Sequence, residues 1–177
     1  MSQTLVDKAK EFAYKMHEGQ KRKGGMPYIT HPEGVVKILE QIILKEGLND
    51  REVILSIAWL HDLLEDTTIT YERLREGFGK DIADKVYLLS RNVGEEEYKT
   101  RIKNSDSIVK LVKLADTLHN IHDPYLMSYL SDNGIKKKID DCKEFYIPLA
   151  MQVCPSIGFK LKDSIDAFLK IFRRYEK

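Results

Sequence analysis

Apolar residues in this chain recur at helical spacing from one end to the other, and nowhere do they alternate over the length of a strand. Leu5, Ala9, Phe12, Ala13 and Met16 mark one helical face, with Ser2 or Thr4 as cap. Val35, Val36, Ile38, Leu39, Ile42 and Ile43 give a second helix, from about Pro32 to Lys45, a wide apolar face that ends at Gly47. Asn49 or Asp50 caps a third, rich in Val53, Ile54, Ile57, Ala58, Trp59 and Leu60, which is expected to continue to about Glu65. Further helices are expected up to Gly77, over 81–90 and from Ser105 or Asp106 through Ile121. Two more, near 135–154 and 156–174, are split by Pro155 and Gly158, with Pro148 forcing a kink or an early end. The pattern predicts an all-α globule of roughly seven to ten helices.

Between these helices lie three breaks. Gly19 to Pro32 is a glycine- and proline-rich loop. Residues 91–104 are the most polar stretch and read as a solvated helix or loop. Asp132-Asn133-Gly134 reads as a break. The apolar residues Tyr125, Leu126, Met127, Tyr129 and Leu130 are expected in the core, with an interface as the alternative.

A length of 177 residues fits a single domain, with a core at about 5–150 on which helices at about 135–174 pack. Lys plus Arg number 29 and Asp plus Glu 28, a balance that argues against a nucleic-acid-coating protein. No apolar run approaches the ~20 residues of a membrane span, and the N-terminus has no signal-peptide core. Cys142 and Cys154 fit no metal pattern and read as reduced thiols, so the expected location is cytoplasmic. Oligomeric state is not readable from the sequence.

Three polar groups interrupt the apolar stripes. His61-Asp62, with Glu65 and Asp66 beyond, follows a very apolar half-helix. His61 and Glu65 lie at i, i+4, as do Asp62 and Asp66, so all four are expected in one sector at the C-terminal end of one helix, where three acids oppose the macrodipole and a cation would offset them. Asp116 and Asn120 share a face at i, i+4 on a second apolar helix. His31 precedes Pro32 in the loop, behind Tyr28, Arg22 and Lys23, a cationic pair suited to phosphate. Two imidazoles and two carboxylates suit Mn²⁺, Fe²⁺ or Zn²⁺ better than the all-oxygen sites of Ca²⁺ or Mg²⁺.

The order His31, His61-Asp62, Asp116 resembles the signature of the HD-domain metal-dependent phosphohydrolases. GQKRKGGMPYITHP, AWLHDLLEDTTITYERLREGFGKDIADKV and VKLADTLHNI are similar to three blocks of the hydrolase domain of RelA/SpoT proteins and their small stand-alone relatives, and KKKIDDCKEFYIPLA to the helix that follows. The resemblance implies an HD-domain helical globule over residues 1–177. It implies His31, His61, Asp62 and Asp116 as ligands of Mn²⁺, and Glu65 and Asp66 as the acids that position or activate water. Arg22, Lys23, Tyr28 and Asn120 are implied on the nucleotide. The implied reaction hydrolyses the 3′-pyrophosphate of ppGpp or pppGpp to GDP or GTP. Thr117 stands where family members commonly carry Arg, and Ile121-His122-Asp123 replaces a common Met-Arg-Thr. Those departures motivate a second reading, hydrolysis of a pApp-type nucleotide or NADPH. A third, a non-catalytic nucleotide-binding module, would be expected to lack some of the six ligands and acids, and all six are present.

Overall fold

The computed structural model describes residues 3–123 and 131–175, with side chains to residue 170. All of its named elements are helical, and one isolated antiparallel bridge joins Lys21 to Pro27. The expected core residues between 125 and 130, and Ser2, lie outside the described residues. The chain divides into two compact units, residues 1–113 and 114–177, with the division inside one continuous helix.

In the first unit, α1 (Leu5–Met16) starts at Thr4, whose side chain accepts from the Asp7 amide. α2 spans Thr30–Glu46 and stops at Gly47, which takes the left-handed conformation at φ 63°. α3 (Arg51–Leu60) is the centre of this unit and packs against α1, α2 and the later α6 (Lys80–Leu89). Its residues Ile54 to Leu60 are all buried, as a helix apolar on every side must be. Asp50 occupies the N-cap position of α3 at φ 61°, but its side chain makes no capping bond.

α3 does not run on to Glu65. It ends at Leu60, the chain turns at His61 and Asp62, and a separate one-turn helix, α4, covers Leu63–Asp66. Asp62 sits at φ −93°, ψ −7°, the sparsely populated bridge region common at active sites. The three acids therefore do not share the last turn of α3, and the macrodipole argument for a cation does not apply. α5 (Tyr71–Phe78) is capped by Thr70, which accepts from the Arg73 amide.

The polar stretch 91–104 also departs from expectation. It holds α7 (Glu95–Asn104), whose Tyr98 and Ile102 are buried. The Tyr98 hydroxyl donates to the Leu89 carbonyl at 3.0 Å. Arg91, Arg101 and Lys113 stand over the Tyr98 ring at 5.6, 5.4 and 5.5 Å. Two apolar anchors i, i+4 apart suffice to seat a short helix whose remaining faces are charged, and average polarity hides them. α8 (Ser107–His122) begins where Asp106 accepts from the Val109 amide, and it crosses into the second unit.

In the second unit, Asp132-Asn133-Gly134 is not a break but the first turn of α9 (Asp132–Asp141), because Ser131 caps it by accepting from the Gly134 amide. A π-helical turn, Cys142–Tyr146, leads into α10 (Ile147–Val153). Pro148 lies at the start of α10, and the Ile147 amide reaches back to the Cys142 carbonyl. Proline cannot donate and crowds the carbonyl of the preceding turn, so the wider π turn accommodates it without ending the helical path. α11 (Pro155–Tyr175) packs on α10 and on the π turn. Gly158 makes that approach close, since a Cβ there would stand 2.6 Å from Met151 Sδ. Cys142 and Cys154 are buried, and neither forms a disulfide among the described residues. Among the described residues no helix is long and apolar enough to cross a membrane.

Candidate metal centre

The loop from Gln20 to Tyr28 is drawn closed by backbone hydrogen bonds. The Arg22 amide donates to Met26 O, Gly25 to Arg22 O, and Tyr28 to Gln20 O, at 2.8, 2.8 and 2.9 Å. Gly25, at φ 83°, makes the tight turn at the tip. Arg22 and exposed Lys23 therefore sit at the tip, and Tyr28 sits at the base, where the chain enters α2. His31 is the second residue of α2 and is buried at 3% exposure. Pro32 follows at a position whose amide would have no intrahelical partner, so the helix loses nothing by its presence.

His61 is also buried, at 4%, and its Nδ1 lies 2.7 Å from the Ala58 carbonyl. A carbonyl only accepts, so Nδ1 carries the proton and Nε2 presents a lone pair. That is the outer-partner arrangement which orients a metal-binding imidazole. His61 Nε2 lies 3.3 Å from His31 Nε2. Asp62 lies against both, with Oδ1 3.1 Å from His61 Nε2 and Oδ2 3.3 Å from His31 Nε2. Asp116, the fourth expected ligand, lies on α8 beyond the division between the units and is itself buried, at 5% exposure. Two imidazole nitrogens and a carboxylate this close need protons or a cation to hold them, and such a nitrogen and oxygen donor set suits a borderline divalent ion.

The acids beyond Asp62 are divided. The Asp66 amide donates to the Asp62 carbonyl at 2.8 Å. One side chain also joins their carboxylates. The Tyr28 hydroxyl donates to Asp62 Oδ2 at 2.9 Å and lies against Asp66 Oδ2. Burial and the two carboxylates push the Tyr28 hydroxyl well above the usual tyrosine range, so it stays a donor. Glu65 turns elsewhere, its Oε2 accepting from the Arg91 amide at 3.1 Å. Arg101 in turn grips that segment, donating to the Ser90 carbonyl and to Asn92 Oδ1. Asn120 Nδ2 donates to Asp116 Oδ1 at 2.6 Å, one turn along α8.

Three site neighbours escaped the sequence reading. They are Arg91 and Arg101, which set the surroundings of Glu65, and His17, which stacks on Tyr28 at 4.6 Å between centroids. The first two lie in a stretch whose polarity suggested only solvation. His17 had one available signal, a histidine four residues after Ala13 on the buried face of α1.

The HD domain family model matches residues 9–153. The chain is 36% identical over 155 residues to the guanosine-3′,5′-bis(diphosphate) 3′-pyrophosphohydrolase of Aquifex aeolicus, covering 82% of this chain and 21% of that protein. It is 34% identical over 175 residues to the GTP pyrophosphokinase of Streptomyces coelicolor, covering 93% and 20%. The chain thus spans about a fifth of the length of these curated relatives. Among solved structures, a metazoan ortholog of SpoT, described as hydrolysing ppGpp, matches with TM-score 0.77 and 23% identity over 94% of this chain and 97% of that one. The protein lmo0812 of Listeria monocytogenes matches at TM-score 0.59 and 23% identity, over 82% of this chain and 98% of that one. These two likenesses concern the fold. With the helical architecture, the His-Asp step after α3 and a family match over more than three quarters of its length, the chain belongs to the HD domain family of metal-dependent phosphohydrolases.

Proposed function

We propose that this chain, residues 1–177 acting as one HD-type hydrolase module, is a Mn²⁺-dependent hydrolase of the 3′-pyrophosphate of ppGpp and pppGpp, releasing GDP or GTP and pyrophosphate. The observation that carries the reading is the convergence of His31, His61 and Asp62 within 3.3 Å of one another, with Asp66 tied to Asp62 through Tyr28. The names of the Aquifex relative and of the metazoan neighbour support the substrate.

His31, His61, Asp62 and Asp116 would hold the ion. When bound, it supplies charge stabilisation at a phosphoryl oxygen and lowers the pKa of water. The protein's own part is positional. The Ala58 carbonyl fixes the His61 tautomer, and Tyr28 orients Asp62 while keeping Asp66 beside it. Glu65 and Asp66 are the acids that orient the attacking water and manage its protons. Arg22 and Lys23, at the loop tip, hold base and phosphates, and Asn120 serves the ribose side while bracing Asp116.

The test is an Mn²⁺-supplemented hydrolysis assay on ppGpp, pppGpp, pApp and NADPH, reading pyrophosphate against phosphate. Asp62→Ala is expected to lose metal and activity together, and Glu65→Ala to keep metal and lose turnover. A Glu65→Ala protein with unchanged kcat would remove Glu65 from the chemistry. Buried Thr117, at a position where a charged Arg is common, keeps the pApp-type and NADPH substrates in the panel as the second reading.

A further inference from the structure

We propose that His17 and Gln20 are positioning residues for Asp66, a role that rests on the proposed reading of Asp66 as an acid acting on water. Gln20 Nε2 donates to the Asp66 carbonyl at 2.8 Å, which fixes the direction of its amide. Gln20 Oε1 then faces His17 Nδ1 at 2.8 Å. An amide oxygen only accepts, so Nδ1 carries the proton and Nε2 is left bare. His17 is 3% exposed, and its Nε2 has no hydrogen-bond partner among the described residues.

A ring placed there for packing alone would be apolar, because a buried acceptor without a donor is destabilising. The imidazole is explained by what its two sides do. Its Nδ1 edge holds Gln20, which holds the Asp66 main chain. Its face stacks on Tyr28 at an interplanar angle of 21°, and Tyr28 contacts the Asp66 carboxylate. The path closes on itself: Asp66 is held at its carbonyl and at its carboxylate by two arms that meet in His17. The same ring ties the end of α1 to the turn that carries Asp62, two segments more than forty residues apart in sequence.

Three substitutions separate the two arms. His17→Ala removes both, His17→Asn restores an N–H for Gln20, and His17→Phe restores the stack. A misplacement of about 1 Å at an acting group can cost on the order of 100-fold in rate. His17→Ala is therefore expected to lower kcat on ppGpp by about 10- to 100-fold with KM within about three-fold, and each partial replacement to recover part of the loss. A His17→Ala protein with wild-type kcat overturns the proposal. So does a loss that follows the melting temperature and is recovered by neither replacement, since that is a packing effect. A readout independent of activity is the crystal structure of Gln20→Ala, a half-buried loop position. The Asp66 carboxylate should leave the Tyr28 hydroxyl, and an unmoved carboxylate overturns the proposal. If the wild-type protein does not hydrolyse ppGpp, the functional reading fails, and the Gln20→Ala structure still decides the positioning one.

Discussion

Replacing Tyr28 by Phe removes one oxygen from the candidate metal centre and nothing else. That oxygen donates to Asp62 Oδ2 at 2.9 Å and contacts Asp66. The Asp62 side chain is only 16% exposed, so water replaces the lost donor poorly. Hydrogen bonds to charged groups contribute about 1.5–3 kcal/mol. Loss of an outer partner of a metal ligand typically costs about 10–100-fold in affinity, or roughly 1.4–2.7 kcal/mol. The two ranges overlap, and Tyr28→Phe is expected to weaken Mn²⁺ binding by about one to two orders of magnitude. The assay is calorimetric titration of Mn²⁺ into both proteins. Tyr71→Phe is the control, since the Tyr71 hydroxyl donates to Asp84 at 2.6 Å in the same chemical sense but away from the centre. A Tyr28→Phe affinity within about two-fold of wild type, or an equal loss in Tyr71→Phe, would refute the reasoning.

Three further outcomes are expected. Ile102→Ala, at a fully buried position of a helix that otherwise looks solvated, should cost about 2–5 kcal/mol in denaturant unfolding, where a surface site would cost almost nothing. Gly158→Ala made in a Met151→Ala background should gain about 1 kcal/mol from helix propensity; in the wild-type background most of that gain is lost, because Met151 Sδ must move from 2.6 Å. Burial holds the His17 imidazole below its ordinary 6.5, despite Gln20 and the nearby charges of Asp62 and Asp66. The unfolded chain therefore binds the proton more readily. The His17 contribution to stability is whole above pH 6.5 and fades as pH falls from there toward the lowered folded value. The melting temperature of wild type should fall relative to that of His17→Phe as the pH is lowered through that window, and parallel curves would contradict this.

How much of this was legible beforehand differs by element. The spacing of Val35, Val36, Leu39, Ile42 and Ile43 determined α2, and Gly47 determined its end, because a repeating apolar face and a left-handed stop are local properties. The residue types of the proposed ligand set were also legible, since His31, His61, Asp62 and Asp116 are polar interruptions in apolar stripes. Periodicity failed where polar atoms overrule it. The continuous apolar pattern of α3 concealed the turn at His61-Asp62. The charges of 91–104 concealed Tyr98 and Ile102, and Ser131 converted an apparent break into a helix start.

Residue order alone specifies an all-α chain carrying the donor set of a divalent ion in the order of the HD domain family. Packing assigns which polar groups serve which. Tyr28 bridges Asp62 and Asp66, Glu65 turns to the Arg91 amide, and His17 joins the loop to the acid turn. The physical reason is range. Helical pattern follows from neighbours within four residues of one another, whereas a hydrogen bond such as Tyr28 to Asp62 spans 34 residues and exists only once α1, α2 and α3 have packed.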